Sequence, residues 1–328
     1  MSRPKLGEQK APTQWPSEAS AIIKNNHDED VQVGKCRRAA YFRLLLDSFE
    51  FYKEKYSFYE PLVKQLRLQY IEADPYLKWI WRSGNMYEDI LTDLSKASGV
   101  YIADQVAIYI PGYNVSGKID LVTINPENSK FRALEIKSVY GYNANSVLGT
   151  PSERKKGNLG TPRDSHLMQI GIYDWWYAAK NEDFEQSLLI YGARDTGRYA
   201  EYVVSTERQG DEDFIAYKGN SPNVTAKTIT KISIQNILSQ YKYIQDCLDS
   251  GEVPARDFEA VYSDERIDQL YERGELTATD TKQYEKRRDQ IAAGKSRVVK
   301  KVEKGDWQCR YCNYRDLCYD QDNNPNQL

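Results

Sequence analysis

Two groups of residues in this 328-residue chain have the types and spacing to do chemistry. The first is Asp120 with Glu135-Ile136-Lys137, two carboxylates and an ammonium. Carboxylates brought face to face repel unless a counter-charge sits between them, so the set suits a hard dication held by oxygen, Mg²⁺ or Mn²⁺. Such an ion polarises a phosphoryl oxygen and lowers the pKa of water, and Lys137 would orient that water or neutralise developing charge. The second group is Cys309-x2-Cys312-x5-Cys318 near one end of the chain and Cys36 near the other. That spacing suggests one metal centre tying the two ends together. Four thiolates suit tetrahedral Zn²⁺ as well as iron–sulfur chemistry, and spacing alone does not decide. Cys247 reads as a small core residue.

The carboxylates need a hairpin to meet. If the turn is centred between Glu127 and Asn128, cross-strand partners have numbers summing to 255, which pairs Asp120 with Glu135 at roughly 4.5–5.5 Å between Cβ atoms. Period-two alternation then puts Glu135 and Lys137 on one face and turns Ile136 into the core. The flanking pattern agrees. Tyr101 to Ile110, Lys118 to Ile124 and Arg132 to Val139 are β-branched or aromatic runs separated by Pro111-Gly112 and Asn125-Pro126-Glu127-Asn128. Residues 36–99 show helical periodicity, and a helix is expected from His166 to Lys180. Ser187 to Ala193 and Ala200 to Val204 read as a strand pair, and 229–249 and 263–293 as further helices. The order predicts an α/β or α+β fold with a mixed central sheet flanked by helices.

With 40% hydrophobic and 12% aromatic residues the chain can bury a substantial core, and one domain over 21–320 is expected. Its core would span about 84–205, with a helical, cysteine-bearing region over about 229–320. Residues 1–20 read as a flexible arm and 321–328 as a polar tail. No apolar run approaches the ~18–20 residues of a membrane helix and no secretory signal opens the chain, so a cytoplasmic protein is expected. In that reducing setting cysteines serve as metal ligands or core residues rather than disulfides. The net charge of −3 gives no global attraction to nucleic acid. Charge is unevenly spread, however: residues 285–304 hold eight Lys/Arg against Glu285, Asp289 and Glu303, a local +5. Smaller clusters are Lys35/Arg37/Arg38 and Arg154/Lys155/Lys156. The plain reading of such runs is a solvated helix face. Gly294-Lys295-Ser296 imitates a phosphate-binding loop, but Asp289 stands where its first Gly belongs and no strand precedes it, which excludes ATP binding.

Gly117-Lys118-Ile119-Asp120, Leu134-Glu135-Ile136-Lys137-Ser138 and Gln169-Ile170-Gly171-Ile172-Tyr173, in that order, resemble the PD-(D/E)XK nuclease superfamily in its RecB-like branch. The resemblance implies a restriction-endonuclease-like core in which Asp120 and Glu135 bind the metal, the Ile136 carbonyl completes the site and Lys137 is catalytic. Gln169 and Tyr173, four apart on a helix, would line the same cleft. The branch usually carries a His in a G-x-x-x-H helix; here the matching stretch begins at Gly84 and puts Glu88 in that place, an acceptable Mg²⁺ ligand. The cysteine pattern, with Gly305-Asp306-Trp307 before it, is similar to the iron–sulfur members of the branch, whose four thiolates hold a [4Fe–4S] cluster. By that likeness Cys36, Cys309, Cys312 and Cys318 join the N- and C-terminal helical regions. The resemblance covers roughly residues 30–320 except an insertion near 258–300.

The function so implied is a Mg²⁺- or Mn²⁺-dependent deoxyribonuclease, an exonuclease on DNA ends or single strands in recombination, repair or CRISPR adaptation. A structure-specific or restriction-like endonuclease, or a catalytically silent DNA-binding subunit of a larger complex, is the alternative. DNA is the expected partner, contacted by Arg37, Arg38, Lys155, Lys156, Lys300 and Lys301. Any helicase would be a separate protein. Tyr140, Tyr142 and Trp175-Trp176-Tyr177 are candidates for base stacking or, equally, for core packing.

Overall fold

The computed structural model describes residues 11–69, 75–157, 159–220 and 226–323. Within them the chain divides into two compact units, the first running to Ala255 and the second from Arg256. The first is α/β. Its elements are β1 (Ser20–Lys24), β2 (Asp30–Gly34), α1 (Arg37–Phe51), α2 (Glu60–Gln69), α3 (Pro75–Ala97), β3 (Tyr101–Ile110), β4 (Val115–Ile124), β5 (Phe131–Val139), α4 (Tyr142–Leu148), α5 (Pro151–Lys155), α6 (Asp164–Ala178), β6 (Phe184–Ala193), β7 (Tyr199–Gln209), β8 (Glu212–Gly219), β9 (Thr228–Ser233) and α7 (Ile234–Ser250).

Strands β3 to β9 form a seven-stranded sheet in sequence order, and β1 pairs with β2 apart from it. Only β5 and β6 run parallel within that sheet. A parallel pair needs a crossover rather than a tight turn, and residues 140–183 supply it with α4, α5 and α6. Helix α6 meets β6 and β7, and also α7 and β2. Accordingly Leu167 to Asp174 are buried without a break, the mark of a helix enclosed on all sides rather than amphipathic. Gly171 makes this enclosure possible, because a Cβ there would stand 2.7 Å from Ile215 Cδ1. Helix α3 packs on β3, β4 and β5, where Tyr87 and Leu91 cover Leu121, Leu134, Ile136, Leu188 and Ile190.

Several elements differ from expectation. Residues 11–20 are not a loose arm: Gln14 bridges to Val115, and its side-chain amide donates to the Tyr241 carbonyl at 2.9 Å, so a polar segment is docked by buried hydrogen bonds instead of apolar periodicity. Residues 1–10 of that arm, and 324–328 of the polar tail, lie outside the described residues. The helix expected over 229–249 starts only at Ile234, because Thr228–Ser233 alternates as a strand and Ser233 caps α7, its Oγ accepting from the Asn236 amide at 3.2 Å. Strands β1, β2 and β8 had no counterpart in the sequence reading. The 141–165 stretch holds α4 and α5.

Asp174, deep in α6, accepts from the Thr206 amide at 3.0 Å. Burial pushes its carboxyl up to about 6, against the opposing pull of the hydrogen bonds it accepts. A raised folded-state pKa favours the protonated fold: the stabilisation is present in full below about pH 4 and is lost as pH rises through about 6. Asp174→Asn should therefore flatten the stability–pH curve across that window, by an amount on the order of 2 kcal/mol, as read from urea unfolding at pH 4, 5, 6 and 7. Equal pH dependence in both proteins would remove Asp174 as its source.

The second unit contains α8 (Asp264–Glu272), α9 (Ala278–Ala292), α10 (Trp307–Arg310) and α11 (Arg315–Asn323). Its core is Ile267, Leu270, Leu276 and Val302 with Tyr262, Tyr271 and Tyr284. Asp306 knots it: Glu259 N–H and Tyr262 O–H donate to its carboxylate, both at 2.7 Å.

Candidate active site

The hairpin register holds. Leu121 pairs with Leu134, Val122 with Ala133, Thr123 with Arg132 and Ile124 with Phe131, all summing to 255. The ladder stops there although both strands continue, so Asp120 and Glu135 stand at the first position where β4 and β5 are no longer bonded. On the other side of β4 the ladder to β3 skips the same residue, passing from Asp104–Leu121 to Val106–Ile119. Opposite the gap, Gln105 is left-handed with φ 48°. A non-glycine residue in that region is strained by about 1–2 kcal/mol, and the strain here releases Asp120 from both ladders.

Freed from pairing, Asp120 turns its Oδ2 onto the Ile136 backbone N–H at 2.8 Å. Burial pushes its carboxyl up, opposed by that amide and by Lys137. Glu135 is 1% exposed. One of its oxygens, Oε1, receives Lys137 Nζ at 2.5 Å, whereas Oε2 is buried with no hydrogen-bond partner. Burial drives the Glu135 carboxyl up to about 8 against the pull of Lys137, and Asp120 and Glu88 add to the rise. Lys137 is also buried; burial alone would lower it, but Glu135, Asp120 and Glu88 together raise it and keep the ammonium charged. Glu88, half-buried on α3, is pushed up to about 7 by burial and then by Asp120, with Lys137 opposing. Three acids thus share one ammonium in a setting that resists their ionisation.

Helix α6 supplies another wall. Gln169 Nε2 donates to Tyr173 Oη at 3.4 Å, and Tyr173 O–H donates to the Lys118 carbonyl at 3.1 Å. Both line a cleft of about 690 Å³ with Trp15, Tyr109, Asn114 and Lys118. The expected stacking residues divide. Trp175, Trp176 and Tyr177 pack against the core, Tyr140 is 64% exposed, and the Tyr142 side chain lies outside the described residues.

The remaining expected residues are not gathered with this set. Arg38 is buried and its Nε donates to the Pro254 carbonyl at 2.7 Å, so its cation is committed within the fold. Arg37 donates to Gln240 Oε1 at 2.9 Å and lies over the Tyr243 ring. Lys155 and Lys156 are exposed at the end of α5. In the second unit, Lys301 pairs with Asp264 at 3.1 Å, and Lys300 is exposed. Cys36 occupies the N-cap position of α1. Cys309, Cys312 and Cys318 belong to the second unit, where burial, then Asp306 and the neighbouring cysteines, push the Cys309 thiol up to about 11. Among the described residues no three His, Cys, Asp or Glu side chains stand together as a metal-holding group. A site built from Asp120, Glu135 and a backbone carbonyl needs only two such side chains, and the partnerless Glu135 Oε2 supplies a buried oxygen suited to a dication.

His166, expected only to open a helix, lies in the first turn of α6. Its Nδ1 lies 2.9 Å from Tyr191 Oη, and Lys137 is among the charges that depress its pKa. Its spacing of three residues from Gln169 and seven from Tyr173, one helical face, is the signal that could have found it.

No protein-family model matches the chain, and no curated protein matches its sequence. The fold, with its seven-stranded mixed sheet flanked by helices, and the site are therefore read from the chain itself.

Proposed function

We propose that the protein is a divalent-cation-dependent deoxyribonuclease, acting as an exonuclease on DNA ends or single strands. The observation that carries this reading is the partnerless Glu135 Oε2 beside a charged Lys137 and an Asp120 that stands outside both ladders, at the point where the β4–β5 ladder ends. A cation held by these two carboxylates with the Ile136 carbonyl would supply Lewis-acid polarisation of a phosphoryl oxygen and a more acidic water. The chain's own groups do the rest. The Ile136 amide fixes the orientation of Asp120, and Lys137 offers positive charge to the phosphate as negative charge develops on it. Tyr173 and Gln169 line the neighbouring cleft, whose wall includes Lys118, two residues before Asp120. The test is cleavage of end-labelled single- and double-stranded DNA with Mg²⁺ or Mn²⁺, with linear and circular substrates compared. Product from linear DNA alone supports the exonuclease; cutting of circles assigns an endonuclease; no cation-dependent product from any substrate overturns the reading.

From the cysteine spacing we further propose that Cys36, Cys309, Cys312 and Cys318 take a [4Fe–4S] cluster. Protein purified without air should be brown and carry about four irons per chain. Serine at any of the four positions should lose iron and lower thermal stability, since ligation and folding are coupled, while Cys247→Ser keeps both. Colourless protein with about one zinc per chain would replace the cluster by a zinc centre.

A further inference from the structure

Beside the carboxylates the structure gathers positive charge that the reaction at Glu135 does not use. Tyr191 is the ladder partner of Lys137 across the parallel β5–β6 pair. Its hydroxyl oxygen accepts the Arg163 backbone N–H at 3.2 Å and lies 2.9 Å from His166 Nδ1. Tyr191 is fully buried, so an O–H without an acceptor would be costly; having accepted from Arg163, it donates to Nδ1. The proton of the neutral imidazole is then fixed on Nε2, leaving an N–H donor held in place. Burial drives the His166 pKa down to about 3, helped by Lys137, Arg163 and Lys35, so this neutral tautomer persists.

Lys35 reaches the same place from another element. Left-handed Gly34 (φ 87°) lets β2 lie so close to α6 that a Cβ there would stand 2.3 Å from Met168 Cε, and Lys35 follows directly, its amide donating to the Ala19 carbonyl at 3.1 Å. Partial burial of the Lys35 ammonium, and then Lys137 and Arg163, disfavour its charge, whereas Glu18 favours it. Glu18 is already held by Arg43, whose Nε donates to Oε1 at 2.9 Å. In an acidic chain, Lys35 and Arg163 thus stand in range of each other, of Lys137 and of a fixed neutral donor, while Glu18 is engaged by Arg43 and Lys137 by Glu135. Repulsion of that kind is relieved by an anion.

We propose that Lys35, Arg163 and the Nε2–H of His166 form a seat for a phosphate group of the nucleic-acid strand, next to the phosphate being cut. The proposal rests on the nuclease reading for the identity of the strand, but the seat itself is defined by the chain. Lys35 and Arg163 are exposed, so replacing them leaves the core intact. Tyr191 acts through His166 as a positioning residue.

The test is binding without cleavage. A fluorescently labelled single-stranded oligonucleotide, titrated with Ca²⁺ in place of Mg²⁺, should bind Lys35→Ala and Arg163→Ala with Kd raised about tenfold, as for loss of one charge-assisted contact. The salt dependence of log Kd should flatten by about 0.7 for each lost contact, a change that a purely structural role would not produce. If the loss is the same with a 5′-phosphate or a 5′-hydroxyl, the seat holds an internal phosphate; if it is confined to the 5′-phosphorylated strand, the seat holds a terminal one. Unchanged Kd and salt slope in both variants overturn the proposal. Inorganic phosphate separates it from the nuclease reading: phosphate should shift the His166 imidazole resonance in the wild-type protein but not in the Lys35→Ala/Arg163→Ala double variant. A chain that shows this shift and cuts no DNA keeps the seat and loses the nuclease. Absence of the shift in the wild type removes the seat.

Discussion

Glu135→Gln should abolish Mg²⁺- or Mn²⁺-dependent cleavage, with a loss of about 10²–10⁴-fold or more in rate, while the protein melts no lower than wild type. The two halves of this expectation come from the same geometry. Glu135 is 1% exposed, its Oε2 has no partner, and its carboxyl is driven up to about 8, so the ionised form that a dication needs is costly in the fold. An amide of the same shape removes that burden, yet carries no charge with which to hold a dication. Lys137→Ala should lose cleavage comparably for a different reason. Without the ammonium 2.5 Å away, the Glu135 carboxyl is pushed up further and yields its proton to a bound dication less readily, and the charge offered to the transition state is gone. Each variant is assayed on end-labelled DNA beside an EDTA control and a melting curve; wild-type rates in Glu135→Gln would sink the assignment of the site.

Gly34→Ala should destabilise the first unit by about 2–5 kcal/mol, the sum of forcing a side chain into left-handed backbone and overpacking a tight contact. The position has no tolerance for either. At φ 87° an alanine Cβ would stand 2.3 Å from Met168 Cε and 2.5 Å from the Ala19 carbonyl oxygen. Met168 can move, whereas the carbonyl is tied to the Lys35 amide. The expected signature is a lower urea midpoint with an unchanged slope. A melting curve that overlays wild type would mean that β2 shifts away from α6 without penalty.

The central hairpin and its carboxylates were legible because turn residues, strand period and register are local properties, and Asn125-Pro126-Glu127-Asn128 places the turn. Helix α6 was legible too, though burial of Leu167 to Asp174 on every side could not be inferred from a stretch with no clear apolar face. What escaped were elements whose stability comes from distant partners. Residues 11–20 are polar and are fastened by Gln14 to Tyr241, a contact between residues 227 apart that no local pattern announces. Strand β8 hangs on a two-residue turn at Gly210-Asp211 and on β7, and its own alternation is interrupted by charge. The left-handed Gln105 is invisible in composition, since glutamine has no preference for that region. His166 is plain in the sequence, but a single histidine gains meaning only from Tyr191, which approaches it from β6.

Helix α6 is at once the centre of the core and the wall of the cleft, and this sets where the protein is free to change. A residue such as Ile170 or Ile172 cannot be altered without disturbing packing on several neighbours, so new substrate preferences are not readily acquired along this helix. The crossover before it is different in kind. In α5 no residue is buried, and Lys155 and Lys156 stand in solvent. Variation in specificity among descendants of this chain should therefore collect in the approach to α6, while the helix itself drifts only among side chains of nearly equal volume.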